Sequence, residues 1–318
     1  MSSVQQTDKI YVAGHRGLAG SALVRSLRAA GFENLLLRTH AELELTDAQA
    51  VLLAAAKVGG ILANDTHPAE FIRENLAIQT NVIHEAWRAG VGRLLFLGSS
   101  CIYPRDCPQP MKEEYLLTGP LESTNRAYAV AKIAGIEMCW SYNRQYGTRF
   151  LAVMPTNLFG PGDNYDLQSS HVLPALIRKA HEAKVRGDAR LVVWGTGTPR
   201  REFLYSDDMA DACSYLLDLP DEVFERLVGG TELPLVNIGA GKDLTIRELA
   251  AMVVGVVGFR GTIEFDTSKP DGTPRKLLDT SRLQALGWTA RVPLREGIEK
   301  AYRDFLDAGA GSPASAAA

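Results

Sequence analysis

Short apolar runs and long amphipathic stretches alternate along the first half of the chain. Lys9–Ala13 predicts a buried strand, followed at once by glycines and a helix with apolar positions at Ala22, Leu23 and Leu27, which Gly31 stops. Asn34–Arg38 predicts a second strand, and Leu52–Ala56 a third apolar segment running into Lys57-Val58-Gly59-Gly60. Pro68–Ala89 carries a long helical pattern stopped by Gly90, Arg93–Ser99 a strand, Arg126–Tyr146 a second long helix stopped by Gly147, and Arg149–Pro155 a strand. This alternation implies parallel βαβ units and an α/β fold with a Rossmann-type doubly wound sheet.

After Pro155 the rhythm changes. A Gly-, Pro-, Asp- and Asn-rich loop, Thr156–Ser170, leads to a helix over His171–Val185, then short strands around Leu191–Trp194 and Arg201–Tyr205. Thr245–Val257 reads as a helix with Thr245 and Glu248 spaced as a capping box, and Leu294–Leu306 as the last helix. The expected division is a mainly cofactor-binding domain over 1–160 and a smaller, mainly substrate-binding α/β domain over 161–308, with segments crossing back. The small-residue tail 309–318 is expected to be disordered. Between Arg38 and Leu52 only Thr46–Val51 offers a helix, whereas a parallel crossover needs ~10–12 residues including its helix.

Composition narrows the classes. Of 318 residues 46% are hydrophobic and 22% charged, ordinary for a globular protein. A net charge of −3 gives a nucleic-acid surface no general support, and no apolar run is long enough to span a membrane. The N-terminal residues lack the apolar core of a signal peptide, and the four cysteines show no CxxC pairing. A reducing, cytoplasmic compartment is therefore expected. No metal-ligand pattern stands out.

Gly14-His15-Arg16-Gly17-Leu18-Ala19-Gly20 is a GxxGxxG that follows a strand and opens a helix, the context in which backbone N–H groups and the helix dipole hold a pyrophosphate. A purely structural tight turn is the bland alternative. At the end of the second strand, where an acidic residue would hold a ribose 2′-hydroxyl, stands Arg38, suited to a 2′-phosphate; Arg16 could stack on adenine or reach the same phosphate. Unless Arg38 is an ordinary surface arginine, NADP(H) is expected.

Tyr128-Ala-Val-Ala-Lys132 is YxxxK at helical spacing, so both side chains share a face. An ammonium beside the phenol is expected to lower its pKa, and the same lysine can hydrogen-bond a nicotinamide ribose. YxxxK alone fits any amphipathic helix, but Ser99 or Ser100 ends a central strand at the carboxyl edge, where a hydroxyl can hold a substrate carbonyl. Glycine loop, serine and YxxxK in this order point to hydride transfer at a carbonyl.

Further motifs identify a resemblance. Residues 14–20, 54–61 (AAAKVGGI), 97–104 (LGSSCIYP), 128–135 (YAVAKIAG), 141–147 (SYNRQYG), 154–161 (MPTNLFGP), 194–203 (WGTGTPRREF) and 269–276 (KPDGTPRK) resemble the GDP-L-fucose synthase family. These are GDP-4-keto-6-deoxy-D-mannose 3,5-epimerase/4-reductases with an extended short-chain dehydrogenase/reductase fold. The resemblance runs from about residue 9 to residue 307. It implies NADPH on the N-terminal domain and a GDP-sugar on the C-terminal one. Ser99, Tyr128 and Lys132 would serve the reduction, and Cys101 and His171 the epimerisation as base and acid. Pro155-Thr156-Asn157-Leu158 would lie near the cofactor, with His171 reaching it too, and Asn157 near the sugar. Lys179, Trp194, Arg201 and Lys276 would contact the nucleotide-sugar.

A homodimer built on the two long helices is also implied; Ile133, Ile136, Met138 and Trp140 make them more apolar than one buried face requires. The chain departs from the family in lacking about a dozen residues between Val51 and Leu52, which would finish the crossover. Read without the resemblance, Cys101 fits a small buried hydrophobe and His171 a helix start; Cys107 and Cys139 are core or loop thiols, and His181 a solvated helix position.

A 4-keto group acidifies the protons on C3 and C5, so a thiolate base and an imidazole acid can invert those centres before hydride reaches C4. Two other functions stay open: another nucleotide-sugar 4-epimerase or 4,6-dehydratase with recycled NAD(H), and a non-catalytic NADP-binding sensor.

Overall fold

The computed structural model describes residues 4–38, 48–269 and 271–309. Strands β1 (Ile10–Ala13), β2 (Leu35–Leu36), β3 (Ala50–Leu53), β4 (Arg93–Leu97), β5 (Phe150–Pro155) and β9 (Leu235–Ile238) form one six-stranded sheet in the order β2-β1-β3-β4-β5-β9, every pair parallel. All but β2 are buried along their length and, apart from Arg93 of β4 and Asn237 of β9, apolar, as a sheet covered on both faces requires. Alternation then sorts side chains: Ile10 and Val12 enter one core, Tyr11 and Ala13 the other.

The first core lies under α1 (Leu18–Ala29) and α6 (Ser206–Asp218). The second lies under α3 (Pro68–Arg88) and α4 (Arg126–Tyr146), which pack side by side. Strand order reverses between β1 and β3, so their carboxyl ends form the crevice where doubly wound sheets bind ligands.

Two sequence expectations change here. The junction between Val51 and Leu52 lies inside β3, whose register is unbroken: Val51 pairs with Tyr11 and Leu94, Leu52 with Val12 and Leu95. The shortened connection is therefore the stretch between β2 and β3, and Ala50 and Val51 are strand rather than helix. Thr46, Asp47 and the tail from 310 onward lie outside the described residues.

The chain leaves the first sheet through β6 (Asn157–Phe159), which pairs with β8 (Arg200–Tyr205). Strand β8 also pairs antiparallel with β10 (Asp243–Thr245) and parallel with β12 (Arg275–Lys276), while β7 (Arg190–Trp194) pairs with β11 (Thr262–Asp266). Helices α5 (Val172–Arg186), α8 (Ile246–Val257) and α10 (Leu294–Asp307) close a third core over these strands. The Thr245–Glu248 capping box forms in full at the start of α8. His181 is only partly solvated: its Nδ1 lies 3.0 Å from the Tyr302 hydroxyl, and its ring packs on Phe305 between α5 and α10. Ile133 and Ile136 of α4 are spent inside the chain, at 8% and 0% exposure.

Candidate active site

The turn after β1 is built for a phosphate. Gly14 has φ +81°, and a Cβ there would lie 2.7 Å from the Ala55 nitrogen, so only glycine fits. A Cβ on Gly20 would lie 2.0 Å from the Gly14 carbonyl oxygen, so the third glycine lets α1 pack onto the loop. Gly17 differs: its nearest neighbour would be 3.6 Å away, ordinary contact. The chain itself does not need glycine there, and the open space faces the start of α1. No side chain caps that helix, so the N–H groups of its first turn, beginning at Leu18 and Ala19, await an acceptor.

Beside them the His15 Nδ1 atom is buried with no hydrogen-bond partner among the described residues. Arg16 and Arg38 are exposed and, among the described residues, form no ion pair. An uncapped helix, an orphaned imidazole nitrogen, a cradle that a Cβ would fill and two unspent guanidinium groups fit a dinucleotide carrying an extra phosphate.

At the carboxyl end of β4 the backbone turns at Gly98 into a single 3-10 turn, Ser100–Ile102, capped by the Ser99 hydroxyl, which accepts from the Cys101 N–H at 3.4 Å. The Ser99 hydroxyl is also close enough to Tyr128 of α4 to act on its phenol. Tyr128 is 8% exposed and meets Phe71 edge-on, ring centroids 6.3 Å apart at 86°. One turn later Lys132, 2% exposed, donates to the Leu97 carbonyl at 2.8 Å, with its Nζ 5.9 Å from the Tyr128 ring centre.

Burial pushes the Tyr128 phenol well above its ordinary value; the Cys101 sulfur adds to this and the Ser99 hydroxyl opposes it. Burial draws Lys132 down to about 7. The expected lowering of the phenol by the ammonium is thus outweighed by desolvation, because Lys132 is committed to a carbonyl and half discharged. Tyr128 is a neutral phenol at neutral pH, the form that donates a proton.

The second sheet brings up the other wall. Register sets Arg201 of β8 opposite Lys276 of β12. The Lys276 Nζ lies 3.9 Å from the Cys101 Sγ, and Arg201 is close enough to feel both Cys101 and Asp271, while its half-buried position draws its own pKa down. Pro155 ends β5, and the next residues stitch the sheets together. The Thr156 hydroxyl and the Asn157 amide donate to the Glu202 carbonyl at 3.3 and 2.7 Å, and Leu158 packs on the first core.

Further out Trp194, 62% exposed, is flanked by the ammonium groups of Lys179 at 5.0 Å and Lys269 at 5.5 Å. Desolvation lowers the Lys179 pKa. His171 is the N-cap residue of α5, contributing only backbone to the cap; its imidazole reaches the surface in a crowded setting that lowers its pKa by desolvation. Ser99, Cys101, Tyr128, Lys132, Arg201 and Lys276 thus gather at one corner. Among the described residues no hydrogen bond joins His171 to Cys101.

Sequence reasoning passed over Glu202. Its carboxylate, fully buried, accepts the N–H of Gly241 at 2.7 Å and of Leu278 at 3.0 Å, tying the loop after β9 and the segment after β12 to β8. A charged residue between Arg201 and the apolar Phe203-Leu204 was the available signal. Lys269 was also missed as a neighbour of Trp194, although it opens one of the quoted motifs.

The profile of the NAD dependent epimerase/dehydratase family matches residues 10–230. The chain belongs to this family. Within it, the protein is 56% identical to GDP-L-fucose synthase 1 of Arabidopsis thaliana, over 96% of this chain and 95% of that one. Among family members of known structure, a GDP-6-OMe-4-keto-L-xylo-heptose reductase from C. jejuni superposes with a TM-score of 0.90 at 39% identity, covering 97% and 100% of the two chains. A GDP-L-fucose synthetase from Naegleria fowleri bound to NADP superposes with a TM-score of 0.84 at 28% identity, covering 96% and 95%.

Proposed function

We propose that the protein converts GDP-4-keto-6-deoxy-D-mannose to GDP-L-fucose with NADPH, inverting C3 and C5 before reducing the C4 ketone. The observation that carries this reading is the corner where a neutral phenol and a cation-faced thiol stand together: Tyr128 lies close enough to Ser99 and Cys101 to feel both, and the Cys101 sulfur sits 3.9 Å from the Lys276 ammonium. A simple ketone reductase has no use for the thiol. The 56% identity to the Arabidopsis synthase supports the choice of substrate.

The Gly14–Gly20 turn and the first turn of α1 beside His15 would hold the cofactor's pyrophosphate, Arg16 and Arg38 its 2′-phosphate, and Lys132, Pro155–Leu158 and His171 its nicotinamide end. When bound, NADPH supplies the hydride that C4 receives. The chain does the rest. Ser99 and Tyr128 donate hydrogen bonds to O4, so charge developing there during enolisation is stabilised in a half-buried site. The Cys101 thiolate removes the protons made acidic by the ketone, and His171 returns protons from the other side of the ring. Such an acid and base flank a sugar and need not touch each other. Tyr128 then gives its proton to O4, and Lys132, poised near neutrality, restores it. The Cys101 sulfur adds to the burial that raises the phenol, so Tyr128 stays protonated until reduction.

Residues 161–308 supply most of the GDP-sugar site, with Asn157 beside the sugar, Arg201 and Lys276 facing the diphosphate side, and Trp194 with Lys179 offering a flat aromatic surface for the base. We place the protein in the cytoplasm, consistent with four free cysteines, and as a homodimer through the outer faces of α3 and α4. There Val130 and Tyr146 remain 38% and 45% exposed. Among the described residues no helix is long and apolar enough to cross a membrane.

The direct test is incubation with GDP-4-keto-6-deoxy-D-mannose and NADPH, following NADPH absorbance and identifying the product by NMR. GDP-L-fucose is expected; an un-epimerised GDP-6-deoxyhexose would make the protein a plain 4-keto reductase.

A further inference from the structure

Lys276 lies on a two-residue strand that has no reason of its own to reach the carboxyl edge of the first sheet. Three features bring it there. Its register with β8 sets it opposite Arg201. The buried carboxylate of Glu202 accepts the N–H of Leu278, two residues further on, at 3.0 Å. The Gln109 side-chain carbonyl accepts the N–H of Leu277 at 2.9 Å, tethering the same segment to the loop that follows Cys101. The ammonium is thereby held 3.9 Å from the Cys101 sulfur, and that sulfur is the only group to which a hydrogen bond from its Nζ is drawn among the described residues.

We propose that Lys276, in addition to any contact it makes with the nucleotide-sugar, is the fixed counter-cation of Cys101, a positioning residue that holds the sulfur as thiolate at neutral pH. The inference rests on the reading of Cys101 as the epimerising base, and adds what makes a thiol competent in that role. An ammonium beside a thiol favours the ionised sulfur, and a half-buried site screens the pair less than water does. The titratable groups acting on this corner come from every side. Arg201 of β8 reinforces Lys276, with Asp271 acting in turn on Arg201. Tyr128 of α4 is neutral and contributes no charge. Cys107, in the loop after the 3-10 turn, also feels Lys276, but burial raises its pKa and keeps it a thiol. The balance at Cys101 is therefore cationic, and Lys276 is its nearest member.

The test is alkylation of the intact protein by iodoacetamide between pH 5 and 10, with Cys101 followed by peptide mass spectrometry so that the other thiols do not contribute. In Lys276→Met, Cys101 is expected to react about three- to tenfold more slowly than wild type at pH 7 and to approach the wild-type rate near pH 10, where every accessible thiol is ionised. Lys276→Arg, which keeps the charge, should retain most of the neutral-pH reactivity. Should Lys276→Met fail to fold, Lys276→Gln carries the same comparison. Superimposable profiles for wild type and the neutral variants would overturn the proposal. Solvent-deuterium exchange into the keto sugar separates this from the parent reading. If Cys101→Ser exchanges normally, the base assignment fails whatever the alkylation shows; if Cys101→Ser is inert yet the profiles coincide, the base stands and Lys276 is not its counter-ion.

Discussion

The Lys132 ammonium sits 2.8 Å from the Leu97 carbonyl oxygen, not on the hydroxyl of Tyr128, the partner its spacing suggests. A carbonyl at the end of a buried strand holds the lysine in place but offers it no full charge, which is why burial can draw its pKa down to about 7. The unfolded chain binds this proton up to about pH 10.4 and the folded chain only to about 7, so between these values unfolding takes up a proton and stability rises with pH. Lys132→Met removes this contribution. The stability of wild type relative to the variant, from urea unfolding without cofactor, should therefore rise by up to ~1.4 kcal/mol per pH unit from pH 7 to 9. A difference independent of pH would show that Lys132 is fully charged in the folded protein.

Tyr128→Phe should lower NADPH oxidation by at least ~10²-fold, since it removes the proton donor to O4. Deuterium should still enter the keto sugar from D2O, because Cys101 and His171 remain. Absorbance and NMR on one sample read both halves. Normal NADPH turnover in this variant would remove Tyr128 from the mechanism.

Gly20 and Gly17 of the turn should fail differently. Gly20→Ala drives a methyl into the Gly14 carbonyl, 2.0 Å away, and should cost about 3 kcal/mol in thermal unfolding. Gly17→Ala meets nothing closer than 3.6 Å at a φ of −80°, so stability should stay within about 1 kcal/mol of wild type. Its methyl instead fills the space for the pyrophosphate, and NADPH binding measured by calorimetry should weaken at least tenfold. Unaltered NADPH affinity in Gly17→Ala would move the phosphates elsewhere.

Arg38→Asp should weaken NADPH binding by roughly 10–100-fold through loss of charge-assisted hydrogen bonds to the 2′-phosphate, and leave NADH binding equal or improved. Parallel titrations with the two cofactors decide it. Equal affinity of the wild-type protein for both would contradict the role given to Arg38.

Elements whose signal is local were legible in the chain. The apolar run at Lys9–Ala13, the helix ended by Gly147 in the left-handed region, and the Thr245–Glu248 box all appear where short-range pattern puts them. What was not legible depends on pairing between distant segments. Strand β3 begins at Ala50, two residues ahead of its apolar signal, because β1 and β4 extend it. Two-residue β12 has no periodicity to read, and only its register on β8 carries Lys276 to Cys101. The charge of Glu202 beside Phe203-Leu204 marks it locally, but what it holds is not legible, since its partners Gly241 and Leu278 are distant in sequence. The Tyr128–Lys132 pair was found from spacing, but its electrostatics came out reversed because burial cannot be read from spacing.

The central claim, that one corner both epimerises and reduces, turns on the Cys101 sulfur. The most direct measurement is deuterium incorporation at C3 and C5 of GDP-4-keto-6-deoxy-D-mannose in D2O, comparing wild type, Cys101→Ser and His171→Gln. Serine hydroxyl is too weak an acid to form the needed anion at neutral pH, so Cys101→Ser should lose exchange at both carbons by ~10²-fold or more while still binding NADPH. His171→Gln should keep the first deprotonation and alter reprotonation, changing product stereochemistry. GDP-L-fucose formed by Cys101→Ser at the wild-type rate would contradict the account and leave the protein without an assigned epimerising base.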